Sequence, residues 1–146
     1  MEVFFDSSVL LKYLMGDPEA KKLVERVKAG ELVGYVNSDV EFEAVNTYVN
    51  LMRRELSKSS GVEEAEKASC IEEAEEKAHR TLALFKMLSR PLEEDFSEGL
   101  KHLMRERKLQ RVNATIAALC KHYGIRRIAT FDAEFRKLEF LEALEA

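Results

Sequence analysis

Three short strand-like runs, each closing on acidic or capping residues, constrain the fold of this 146-residue chain more than any other feature. Val3-Phe4-Phe5 stops at Asp6-Ser7-Ser8, Leu32-Val33-Gly34-Tyr35-Val36 stops at Asn37-Ser38-Asp39, and Arg127-Ile128-Ala129-Thr130 leads to Asp132. The continuous apolarity of Val3-Phe4-Phe5, rather than alternation, is the pattern of a central strand covered on both faces. Between the runs, apolar residues recur at three and four positions, the period of a helix. Asp6 or Ser7 can cap a helix beginning near Ser8 that carries Val9, Leu10, Tyr13 and Leu14. Asp17-Pro18-Glu19 combines a capping acid, a proline at the first helical position and an acid at the positive end of the dipole. Leu23, Val24 and Val27 follow as its apolar stripe, with Gly30 as a stop. Any of Asn37, Ser38 or Asp39 can cap a third helix carrying Val40, Ala44, Thr47, Tyr48 and Leu51. Strands separated by helices imply an α/β fold with a central parallel sheet flanked by helices. Ligands in such folds bind beyond the carboxyl ends of the strands, where Asp6, Asp39, Glu41, Glu43 and Asp132 fall.

The rest of the chain reads as helix. From Val62 to about Ser89 a Glu/Lys/Ala-rich stretch carries apolar residues at helical spacing, until Arg90-Pro91 breaks it. Ser57 to Gly61 is the best loop. Glu93 to Arg107 and Val112 to Tyr123 are further helices, the second stopped by Gly124. Phe135, Leu138, Phe140 and Leu141 supply a last helical turn or strand. With only six Gly and two Pro, long irregular loops should be few, and residues 1–146 read as one domain without internal repeats.

Several function classes lose support at this point. The longest apolar stretch, Ile116 to Cys120, is far short of the roughly 20 residues of a membrane span. The opening Met1-Glu2-Val3-Phe4-Phe5-Asp6 has an acid where a signal peptide needs basic residues. A cytoplasmic protein with no membrane partner is the expectation, with Cys70 and Cys120 as reduced, buried or half-buried thiols. A net charge of −4 argues against coating nucleic acid by bulk electrostatics, but it allows a local basic patch. Three scattered histidines form no triad, and six isolated glycines form no phosphate-cradling loop.

Three segments carry a family resemblance. Phe4-Phe5-Asp6-Ser7-Ser8-Val9-Leu10 resembles the opening strand and first acid of PIN domains. Asn37-Ser38-Asp39-Val40-Glu41-Phe42-Glu43-Ala44 is similar to their second element, a strand end leading into a helix with a glutamate. Val112-Asn113-Ala114-Thr115-Ile116-Ala117-Ala118, followed by Gly124-Ile125 and Thr130-Phe131-Asp132-Ala133-Glu134-Phe135, is similar to the family's Asp-Ala helix, Gly-Ile turn and Thr-x-Asp-x-x-Phe ending. The resemblance spans almost the whole chain, although about Arg53 to Arg90 carries no motif.

It implies a three-layer PIN-like domain and a metal-dependent endoribonuclease, often the toxin of a VapC-type toxin–antitoxin pair and often a homodimer. It also implies Mg2+ or Mn2+ held by Asp6, Glu43, Asp132 and Asn113, with RNA as substrate and an antitoxin protein as partner. Crowded carboxylates repel, and a hard divalent cation relieves that cost through oxygen ligands. Glu43 fits the family position better than Glu41, and Asp39 reads as a cap rather than a ligand. Ser7 or Thr130 can hydrogen-bond a ligand carboxylate. Asn113 departs from the family, which has aspartate there. An amide oxygen can still reach a metal but brings no charge, and Asn113 can equally cap its helix. An active enzyme with a leaner site and a catalytically weakened or inactive PIN-fold module binding RNA or a partner protein both remain open.

Cations cluster before Asn113, with Lys101, His102, Arg105, Arg107, Lys108 and Arg111 falling within eleven residues. Arg105, Lys108 and Arg111, with Arg126 and Arg127 ahead of the third run, are the candidate RNA contacts, since cations position the phosphate backbone. A solvated helix face with Glu106 interleaved explains the same pattern. Aromatic residues are not clustered with these cations, so base stacking cannot be argued.

Overall fold

Val3, Phe4 and Phe5 are fully buried, as a strand covered on both faces requires, and they form the centre of the sheet. The structure, a computed structural model, describes residues 1–145. Within them the strands are β1 (Glu2–Phe5), β2 (Val33–Val36), β3 (Lys86–Met87), β4 (Arg127–Ala129) and β5 (Glu142–Ala143). Their order is β3-β2-β1-β4-β5 and every pairing is parallel. Phe4 lies opposite Tyr35 on one side and Ile128 on the other. The helices are α1 (Ser7–Leu14), α2 (Pro18–Lys28), α3 (Ser38–Ser57), α4 (Glu64–Leu82), α5 (Glu94–Glu106) and α6 (Arg111–Tyr123), with a 3-10 turn over Ala133–Lys137. The expected α/β fold, a parallel sheet between helices, is observed.

The helix starts follow from side-chain chemistry. Asp6 accepts from the Ser7 N–H to open α1, and Asp17 accepts from Ala20 at 2.9 Å to open α2, with Pro18 at its first position. Among the three candidate caps of α3, Asn37 does the work, accepting from Val40 at 3.0 Å. Asp39 lies instead in the first turn, where its charge favours the helix dipole but makes no cap bond. Gly124 ends α6 at φ 72°, a left-handed conformation that costs a residue with a Cβ. Leu14, Tyr48, Ala74 and Ala78 form a small apolar cluster that seats α4 on α3 and α1. Cys70 is half-buried and Cys120 buried, both as free thiols, and burial pushes the Cys120 thiol up to about 12. It is therefore an inert packing group.

Two edge elements depart from the sequence reading. The helix expected to run to Ser89 stops at Leu82. Phe85 then turns inward against Phe5, ring centroids 4.8 Å apart, and Lys86–Met87 pair with Tyr35–Val36. After the 3-10 turn, Glu142–Ala143 pair with Arg127–Ile128. Two-residue strands are specified by backbone bonds such as Leu88 N–H to Val36 O at 2.8 Å, and so leave no periodicity to read.

Gly34 makes the Phe85 packing possible. A Cβ there would meet Phe85 Cδ1 at 2.5 Å and Cε1 at 2.7 Å. The ring cannot retreat without displacing Phe5, the residue before Asp6. Gly34→Ala should therefore destabilise by about 1–3 kcal/mol, the usual cost of overpacking a filled core. Urea unfolding would measure it, and a neutral substitution would show that the ring is loosely held.

Candidate active site

Asp6 ends β1 and is 94% removed from solvent, at 6% exposure. Burial raises its carboxyl pKa above the ordinary aspartate value, and the charge of Asp132 adds to the rise; hydrogen bonds from Thr130, Ser8 and Ser7 oppose it. The geometry of those bonds is directional. The backbone N–H of Phe131 donates to Ser8 Oγ at 3.0 Å, and that of Asp132 donates to Thr130 Oγ1 at 2.9 Å. Each hydroxyl then spends its own hydrogen on Asp6 Oδ2, at 3.0 Å from Ser8 and 2.8 Å from Thr130. Asp6 Oδ1 takes the Ser7 N–H at 2.8 Å. This web, with Asp6 N–H donating to Ala129 O at 3.0 Å, latches the end of β1 to the end of β4.

Asp132 opens the 3-10 turn, its Oδ1 accepting from Glu134 N–H at 2.9 Å. Its other oxygen accepts from Asn113 Nδ2 at 3.1 Å. The same amide nitrogen donates to Glu134 Oε1 at 3.3 Å, which also accepts the Gln110 N–H at 3.1 Å. One asparagine thus spends its two amide hydrogens on two carboxylates. An aspartate could not do this, having no donor when ionised. The cap of α6 is Gln110, without a side-chain bond, so Asn113 does not act as the cap of its helix.

Asp6, Glu43, Asn113 and Asp132 line one cavity of about 440 Å3, together with Ser8, Thr47 and others. Four residues separated by as many as 126 positions converge because β1, α3, α6 and the β4 end meet there. Glu43, not Glu41, faces the cavity. Ser8 rather than Ser7 supplies the hydroxyl, and Thr130 fulfils the role foreseen for it. Glu134 and Gln110 were not singled out in the sequence. The available signal was the Asp132-x-Glu134 spacing, which a short 3-10 turn folds back toward α6.

The donors facing the cavity are oxygens, without imidazole or thiolate, which suits a hard cation in kind. Among the described residues, no three His, Cys, Asp or Glu side chains are drawn together closely enough to hold an ion as they stand. Asp132 and Glu134 are instead bridged by the amide of Asn113.

The cations divide by place. Arg111 opens α6 beside Asn113, and Lys108 sits in the preceding linker with φ 55°. Arg105 is in the last turn of α5. Arg126 and Arg127 lie at the amino end of β4, whereas the carboxylates gather at the carboxyl end, so this pair does not border the acidic cavity.

The sequence profile of the PIN domain family matches residues 3–141. Ribonuclease VapC2 of Methanocaldococcus jannaschii is 28% identical, over 99% of this chain and 93% of that protein. Ribonuclease VapC6 of the same organism is 25% identical, over 98% and 96%. Among solved structures, VapBC2 from Rickettsia felis bound to a DNA fragment from their promoter aligns with TM-score 0.63 at 12% identity, covering 99% of this chain and 98% of that one. PAE2754 from Pyrobaculum aerophilum aligns with TM-score 0.60 at 20% identity, covering 98% and 92%.

Proposed function

Since the chain belongs to the PIN domain family, we propose that it is a metal-dependent endoribonuclease whose reacting centre is the cavity beneath Asp6. The observation that carries this reading is a buried, hydroxyl-braced Asp6 sharing one cavity with Glu43, Asn113 and Asp132. Relatives named ribonucleases cover nearly the whole chain, which supports RNA as the substrate. Asp6, Asp132 and Glu43 would hold Mg2+ or Mn2+, with the amide oxygen of Asn113 as a neutral fourth donor. Such an ion polarises phosphoryl oxygens and acidifies water.

The remaining work falls to the chain itself. Ser8 and Thr130 fix Asp6 in one rotamer and favour its ionised form. Asn113 donates to both Asp132 and Glu134 and so holds the two carboxylates beside α6. Arg111 and Lys108 lie where they can steer a phosphate backbone toward the acids. By the same reasoning the chain is a toxin that works with an antitoxin, a reading supported by its likeness to VapBC2 from Rickettsia felis; a homodimer and a cytoplasmic location are what the family resemblance implies. No helix among the described residues is long and apolar enough to cross a membrane.

The test is metal removal. Purified protein should cut single-stranded or structured RNA with Mg2+ or Mn2+, stop in EDTA, and resume when excess Mn2+ is restored. Cleavage indifferent to EDTA would overturn the reading. One observation favours a second reading, a non-catalytic module binding RNA or a partner: the amide of Asn113 already satisfies Asp132 and Glu134 without an ion. In that case Mn2+ calorimetry would be silent and RNA association would survive EDTA.

A further inference from the structure

Three cavities line the carboxyl edge of the sheet in the order of the strands. Beyond β2 and β3 lies one of about 400 Å3 bordered by Asp39, Leu88, Arg90, Arg111 and Val112. The acidic cavity beyond β1 follows and shares Val112 with it. Beyond β4 and β5 lies a third of about 390 Å3, which shares Asp132 with the acidic cavity. The two flanks differ in charge. The β3-side cavity sets Arg90 and Arg111 against Asp39 alone. The β5-side cavity sets Arg136 against Glu19, Asp132 and Glu145. A polyanion crossing the acidic centre is therefore attracted on one flank and repelled on the other.

Arg90 is held for such a task. Leu88 N–H donates to Val36 O at 2.8 Å, and the Tyr123 hydroxyl donates to Ser89 O at 2.8 Å. These bonds fix the backbone up to the arginine, and its guanidinium rests 5.4 Å from the Phe96 ring centroid. Among the described residues neither Arg90 nor Arg111 forms an ion pair. Both arginines border the same cavity, and a guanidinium without a carboxylate partner is suited to taking phosphate oxygens.

We propose that the Arg90–Arg111 cavity is the subsite for a backbone phosphate of single-stranded RNA flanking the phosphate that is cut, so that the strand runs from the acidic centre toward β3 and not toward β5. This rests on the ribonuclease reading for its substrate. It makes Arg90, from a region without family motif, a determinant of which side of the cut the substrate must extend.

The experiment is fluorescence anisotropy of a labelled single-stranded RNA in EDTA, across a salt series, with the full chain and its Arg90→Ala, Arg90→Lys, Arg111→Ala and Arg136→Ala variants. Arg90→Ala and Arg111→Ala should each weaken binding about three- to tenfold and lower the salt slope by about 0.7, one phosphate contact on a single strand. Arg90→Lys should keep most of the slope because the charge remains, and Arg136→Ala should match the unmodified protein. Equal affinity and slope for Arg90→Ala, equal losses at Arg136, or no RNA binding would each overturn the subsite. So would a polyglutamate peptide competing as well as unlabelled RNA, which would assign the cavity to an acidic protein. Cleavage measured separately with Mn2+ tells the two failures apart. Cutting with an indifferent Arg90 sinks the subsite alone. Arg90-dependent binding without cutting sinks the ribonuclease reading and leaves the cavity as a backbone-phosphate site of an RNA-binding module, with no cut for it to flank.

Discussion

In Asp6→Asn, RNA cleavage falls on the order of 100-fold or more, while the metal-free protein becomes more stable at neutral pH. The loss follows from removing the most buried charge facing the reacting centre, since one preorganised charged or donor group is commonly worth about that much. The stability gain follows from burial. The Asp6 carboxyl pKa is raised in the fold, mainly by desolvation. Between the unfolded value near 3.8 and the raised one, the native state holds more protons than the unfolded state. Stability therefore falls as pH rises through that window, and above it the whole penalty is present. Asparagine carries no charge to desolvate. It keeps the Ser7 N–H bond through its oxygen, and the Ser8 and Thr130 hydroxyls each have a second lone pair for its amide hydrogens. Melting in EDTA from mild acid to neutrality should show the variant ahead at neutral pH, with the gap closing as acidity increases. Excess Mn2+ should reverse the order, because only the carboxylate binds the ion strongly and mass action stabilises the bound form. A variant that melts below the parent in EDTA at neutral pH would show that the hydroxyl web outweighs the desolvation of Asp6.

Asp6 also shows why much of this site could be read from the residues. It directly follows a continuous apolar run, and a parallel sheet sends the carboxyl ends of its strands to one edge, so Asp6 and Asp132 had to meet. Glu43 was readable one helical turn into the helix that follows β2. Asn113 was placed by its motif, but its bonding was not, because the 3-10 turn that brings Glu134 back to α6 has no periodic pattern. The edge strands β3 and β5 escaped for a related reason: two residues cannot alternate. Arg126 and Arg127 show the opposite error. Closeness in sequence to Thr130 suggested closeness to the site, yet a strand carries its first residues to the far edge of the sheet. Arg90 was read only as a helix breaker beside Pro91. Its position beside the acidic cavity depends on β3, which the periodicity hid.

Asn113→Asp restores the family's acid and should cost the metal-free protein about 2 kcal/mol, roughly the worth of hydrogen bonds to charged groups at a half-exposed site. The substitution removes the donor that serves Asp132 at 3.1 Å and Glu134 at 3.3 Å, and sets a third carboxylate at those distances. Repulsion replaces attraction, and a divalent ion becomes the natural counter-charge. Mn2+ affinity should rise on the order of tenfold or more, because ligand charge count tunes such sites over that range. Urea unfolding in EDTA measures the first effect and calorimetry the second; an unchanged metal-free stability would mean that the asparagine bonds carry no weight. Cleavage then separates the two functional readings. If the parent chain cuts RNA with saturating Mn2+, the variant should need less metal while its maximal rate stays within a few-fold. If the parent is silent and the variant cuts, the amide has replaced the ion, and the chain keeps the PIN fold with its chemistry switched off by one atom exchanged at Asn113.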